Sequence, residues 1–72
     1  MPTDFVVLTC NVGNGRANPK RLASIVIESK ADIVGFQELN DAQATSINVD
    51  LEDEFPNRIL FPGGFAGKGI LS

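Results

Sequence analysis

The sequence contains no histidine, no tryptophan and no tyrosine, and a single cysteine among 72 residues. Cys10 alone forms no internal disulfide, and with neither His nor a CxxC pair there is no zinc-type ligand set. The missing His also removes the side chain that most often serves as a general base near neutral pH. Long apolar runs are absent too. Phe5 to Leu8 is far too short for a signal h-region or a membrane span, and Met1-Pro2-Thr3-Asp4 brings no basic n-region. The chain reads as untargeted, with the cytoplasm as the default compartment. Positive charge is scarce and dispersed: six Lys and Arg against nine Asp and Glu give a formal net charge of −3. The electrostatic footprint of tight, sequence-independent nucleic-acid binding is therefore missing, and any bound polyanion needs a metal ion or residues outside the chain to offset its charge.

What is present is an ordinary globular balance, 43% hydrophobic and 21% charged. At this length there is room for one domain at most. A folded chain of this size hides only about 60% of the surface its unfolded form exposes, so its core is marginal without a staple, and none is visible.

Phe5-Val6-Val7-Leu8-Thr9-Cys10 is a continuous β-rich run, the pattern of a strand apolar on both faces, as in parallel sheets. It ends at Asn11-Val12-Gly13-Asn14-Gly15, where turn-forming residues gather. Asn18-Pro19 then marks a helix start: Asn caps free backbone N–H groups, and Pro at the first helical position has no N–H to leave unpaired. Leu22, Ala23, Ile25, Val26 and Ile27 give that helix one wide apolar face, which predicts a helix from about Pro19 to Ser29 or Lys30. Ile33-Val34-Gly35-Phe36 is a second short apolar strand. Strand, helix and strand in this spacing predict a βαβ unit with parallel, adjacent strands, so Asn11 and Gln37-Glu38 finish on one edge.

Asn40 to Phe55 suits either period, because Ala44, Ile47 and Leu51 fit a helix face while Ile47, Val49 and Leu51 alternate as in a strand. A helix is favoured, since Asn40 or Asp41 can cap it. Pro56 stops it, Arg58-Ile59-Leu60-Phe61 is a third strand, Pro62-Gly63-Gly64 a turn, and Gly69 to Ser72 a fourth strand. The expected class is α/β in the order β-α-β-α-β-β.

In open α/β sheets, ligand-binding groups gather beyond the carboxyl ends of parallel strands. Asn11 and Glu38 both stand there. A carboxylate is a hard oxygen ligand suited to Mg²⁺ or Mn²⁺, and an Asn amide can hold that carboxylate or a substrate phosphate by donating a hydrogen bond. The pair suits metal-assisted phosphoryl chemistry.

At these residues the sequence resembles the endonuclease/exonuclease/phosphatase superfamily. The matching segments are Val7-Leu8-Thr9-Cys10-Asn11, Asp32-Ile33-Val34-Gly35-Phe36-Gln37-Glu38 and Gly67-Lys68-Gly69-Ile70-Leu71-Ser72. The resemblance implies the amino-terminal portion of a sheet-on-sheet sandwich flanked by helices, so that residues 1–72 form a single partial domain of a metal-dependent phosphoesterase. It further implies Mg²⁺, with Mn²⁺ as a substitute, bound at Glu38, and Asn11 assisting beside the metal and the scissile phosphate. The pair would thus be both catalytic and metal-binding. The catalytic His residues and further Asp ligands of the family are expected beyond Ser72, in a missing carboxyl-terminal half, so the chain alone is expected to be inactive. The substrate would be a phosphate ester of the nucleic acid, nucleotide, or phospholipid and inositol phosphate classes.

Two other readings share these residues. Gly13-Asn14-Gly15-Arg16-Ala17-Asn18 reads G-x-G-x-x-N between a strand and a helix, close to a dinucleotide-binding, Rossmann-like fingerprint. Its third position is Asn, however, and the helix begins too late to meet a pyrophosphate at Gly15. A small non-catalytic α/β interaction module, docking through an uncovered sheet face or edge, is the other. Single residues also have plain structural readings: Asn11 as a turn residue, Glu38 as a solvated acid, Gln37 as a structural hydrogen-bonding group on the opposite side from Glu38, and Cys10 as a small apolar residue. Asp50, Glu52, Asp53 and Glu54 lack calcium-loop spacing and read as a solvated helix end.

Overall fold

The structure is a computed structural model, and it describes residues 5–72. Strand β1 (Val7–Asn11) leads through a one-turn 3₁₀ segment (Gly13–Gly15) to helix α1 (Pro19–Ser29), strand β2 (Ile33–Gln37) and helix α2 (Asp41–Asp50). Strand β3 (Arg58–Phe61), a second 3₁₀ turn (Gly64–Ala66) and strand β4 (Lys68–Leu71) follow. The fold is α/β in the order read from the sequence. One four-stranded sheet is ordered β1-β2-β4-β3, with β1 and β2 parallel and β4 antiparallel to both of its neighbours.

The helix limits follow from local chemistry. Asn18 Oδ1 accepts from the Lys20 and Arg21 amides, at 2.9 and 3.3 Å, and Pro19 fills the first helical position. Helix α1 ends where Lys30 turns left-handed, at φ 56°. The doubtful stretch is a helix and not a strand, because Asn40 and Gln43 close a capping box at its start. It stops at Asp50, short of Phe55, and Leu51 and Phe55 continue into the core from the turn that follows.

Both helices cover one face of the sheet. Val26, Val34, Phe36, Leu39, Ile47, Leu51 and Leu71 are almost wholly enclosed there. The opposite face is bare: Val7, Ile59, Phe61 and Ile70 are 57%, 58%, 69% and 54% exposed. A strand apolar on both sides is thus buried on one side only, and the alternation of enclosed and exposed residues along β1, β2 and β4 records it. Apolar side chains on the bare face have no covering layer among the described residues.

Candidate functional site

The parallel register sets Asn11 beside Gln37 at the ends of β1 and β2, with Glu38 the next residue. Continued strand geometry would send Glu38 to the helix-covered side. Instead Glu38 is left-handed, with φ 56°, and its half-buried carboxylate meets Asn11: the Asn11 Nδ2 group donates to Glu38 Oε2. For a non-glycine residue such backbone costs roughly 1–3 kcal/mol and persists only where its surroundings hold it. Here the Asn14 amide donates to the Glu38 carbonyl at 2.6 Å, and the Val12 amide to the Gln37 carbonyl at 2.9 Å.

Asn11 is itself fixed from its other end. Its Oδ1 accepts from the Gly13 amide at 3.0 Å, which turns Nδ2 toward the carboxylate. The plain turn role and the pairing role of Asn11 are therefore simultaneous, one on each atom of the amide. Asn14, also left-handed at φ 52°, completes this turn.

A third loop closes on the same end of the sheet. The Leu39 amide donates to the Gly67 carbonyl, at 3.3 Å, and the Gly63 amide to the Leu39 carbonyl, at 3.0 Å. Gly67 must be glycine here, since a Cβ would run into the Leu39 carbonyl. The Gly63-Gly64 segment thus belongs to a hairpin connection, as its composition suggests, and it buttresses the residue after Glu38.

Other residues fall away from the pair. Gln37 is exposed, opposite Lys68 in the register, and its side chain makes no hydrogen bond among the described residues, in contrast to the structural role expected for it. Lys68 stands out only once that register is known, since its sequence context is a Gly-rich strand. Asp50 ends α2 and pairs with Lys20 of α1, Nζ to Oδ2 at 2.9 Å. The Lys20 hydrogen bond and charge hold the Asp50 carboxyl below its usual range, with a smaller contribution from Ser46. Glu52, Asp53 and Glu54 are exposed, as a solvated helix end should be. Cys10 packs partly against the core, and burial pushes its thiol pKa up, so its chemistry is that of an apolar filler.

The Gly13-Asn14-Gly15 turn is occupied in holding Glu38, and α1 begins only after Asn18. The segment does not place a helix N-terminus at Gly15, as a dinucleotide fingerprint requires. An open cleft of about 370 Å³ lies elsewhere, along Arg16, Ala17, Asn18, Arg21, Leu22 and Ile25. No helix among the described residues is long and apolar enough to cross a membrane.

Among the described residues no three His, Cys, Asp or Glu side chains gather around a point. Mg²⁺, where a protein binds it, is commonly held by one or two carboxylates with waters and substrate phosphates as its other ligands. Glu38 gives one oxygen of its carboxylate to Asn11 and retains acceptor capacity on the group.

Comparison with curated proteins and with solved structures returns no match. Comparison with protein families matches residues 8–72 to the Endonuclease/Exonuclease/phosphatase family. The match takes in both strand ends, the Asn11–Glu38 pair and the whole of β4, so the chain belongs to the Endonuclease/Exonuclease/phosphatase family.

Proposed function

We propose that the chain carries part of the site of a Mg²⁺-dependent hydrolase of phosphodiester or phosphomonoester bonds, with Mn²⁺ able to substitute. The observation that carries this reading is the hydrogen-bonded Asn11–Glu38 pair, held at two parallel strand ends by a left-handed Glu38 in a chain of this family. Glu38 would hold the metal. Asn11 would steer the carboxylate through Nδ2 and stand beside a phosphate oxygen. Bound metal would supply charge stabilisation at the phosphorus oxygens and the leaving group. No His is available to activate water, so that group would come from outside these residues.

The bare apolar face supports the companion reading, that these residues are the amino-terminal part of a domain whose further layer covers the sheet. Substrate choice among nucleic acid, nucleotide and phospholipid or inositol phosphate esters would rest on loops around that complete site.

Calorimetric Mg²⁺ titration of the wild-type chain and of E38Q tests the proposal. Glu38→Gln keeps the shape and removes the charge, and it is expected to abolish binding, while phosphodiester hydrolysis by the wild-type chain alone stays at background. Equal Mg²⁺ affinity in both proteins would defeat the assignment.

A further inference from the structure

Gln43 is the one buried polar side chain among the described residues, 1% exposed, and both ends of its amide are fully engaged. Its Oε1 accepts from the Gly15 amide at 3.0 Å and from the Asn40 amide at 3.1 Å. Its Nε2 donates to the Val12 carbonyl at 2.9 Å and to the Ala17 carbonyl at 3.0 Å. A capping box needs only the bond to Asn40, and for that Glu serves as well as Gln. The other three bonds leave the helix and grip the loop that follows Asn11.

We infer that Gln43 is a positioning residue that fixes Asn11 and Glu38 relative to one another, a role that rests on the site proposed above. The path is short. Gln43 holds the Val12 carbonyl, one residue past Asn11; the Val12 amide holds Gln37, one residue before Glu38; and between the two loop contacts at Val12 and Gly15 lies Asn14, whose amide holds the Glu38 carbonyl. Gln43 therefore ties the β1–α1 turn to the start of α2, the element that directly follows Glu38. Only an amide fits. A carboxylate here would set oxygen against the Val12 and Ala17 carbonyl oxygens and lose both donations, and an apolar side chain would leave the partly buried Gly15 and Asn40 amides and Ala17 carbonyl without their partner.

The test uses ¹⁵N-labelled chain and the Gln43→Glu and Gln43→Met variants, first without metal. Both variants are expected to shift and broaden the Asn11 side-chain amide and the Gly13 and Asn14 backbone amides, while the Ile59 amide on β3, the strand paired with neither β1 nor β2, keeps its position. Mn²⁺ titration should then show affinity at Glu38 reduced about 10- to 100-fold, the usual cost of losing a group that orients a metal ligand. Unmoved Asn11, Gly13 and Asn14 signals would overturn the inference, whatever the metal does. Absence of Mn²⁺ binding in the wild type would instead strike the metal assignment, and the metal-free signals would still decide the role of Gln43. If both variants unfold, hydrogen exchange in the wild type decides: slow exchange at the Gly15 amide and the Gln43 side-chain amide supports the clamp, and unfolded-chain rates there overturn it.

Discussion

Glu38 combines a charged side chain with a backbone conformation that favours glycine. Left-handed geometry costs a residue with a Cβ roughly 1–2 kcal/mol, so E38G should be about 1 kcal/mol more stable than E38A, although both lose the carboxylate. Chemical denaturation of the two variants measures the difference, and equal midpoints would mean that the turn is not left-handed in solution. Cys10 offers a check at the same scale. Burial raises its thiol pKa, so the folded chain holds that proton more tightly than the unfolded chain. Its contribution to stability is complete below the unfolded thiol's pKa and is lost as pH rises through the folded value. Alkylation at mildly alkaline pH should accordingly be slower in buffer than in denaturant.

Among the elements, the helix ends are where local chemistry is most exposed to test. Lys30 is left-handed at the end of α1, and K30G should stabilise the fold by about 1 kcal/mol, while N18A, which removes the cap at the other end, should cost about 1 kcal/mol. Thermal melts of both variants check the signs. The same ends explain how far the elements were legible. Asn18-Pro19 announces α1 because both residues act through their own backbone neighbours, and Phe5 to Cys10 announces a strand through its β-rich run. Helix α2 was ambiguous by period because Ile47, Val49 and Leu51 satisfy both patterns, and Val49 lies exposed while Ile47 and Leu51 are enclosed. The Asn40 cap, closed into a capping box by Gln43, resolves it as a helix.

The candidate site was legible in part. Asn11 and Glu38 could be named because parallel strands bring their ends together whatever the side chains do. The left-handed turn at Glu38 could not, since no glycine marks it, and it is this turn that carries the carboxylate across to Asn11. Gln43 was hidden for a related reason: three of its partners are backbone groups of a loop some 26 to 31 residues away in sequence, and side chain to backbone bonds of that span leave no pattern.

At the scale of the whole molecule, the sheet has one finished face and one unfinished one. Val7, Ile59, Phe61 and Ile70 spread exposed apolar surface across strands β1, β3 and β4, and apolar surface left open to water favours association. The chain should therefore self-associate, and I70K, which places a charge in that face without touching the helix-covered core, should raise the monomer fraction in sedimentation experiments and leave the melt nearly unchanged. A wild-type chain that is monomeric at high concentration would contradict this. The two faces also frame the candidate site, because Asn11 and Glu38 lie at the ends of β1 and β2, whose inner side chains pack into the finished core.

The most direct measurement is paramagnetic: Mn²⁺ added in small amounts to ¹⁵N-labelled chain, with amide signals followed residue by residue. The account predicts selective broadening around Asn11, Glu38 and Leu39 that disappears in E38Q, with the exposed acids Glu52, Asp53 and Glu54 affected only weakly and equally in both proteins. Broadening centred on those acids, or unchanged by E38Q, would contradict a metal site at the strand ends.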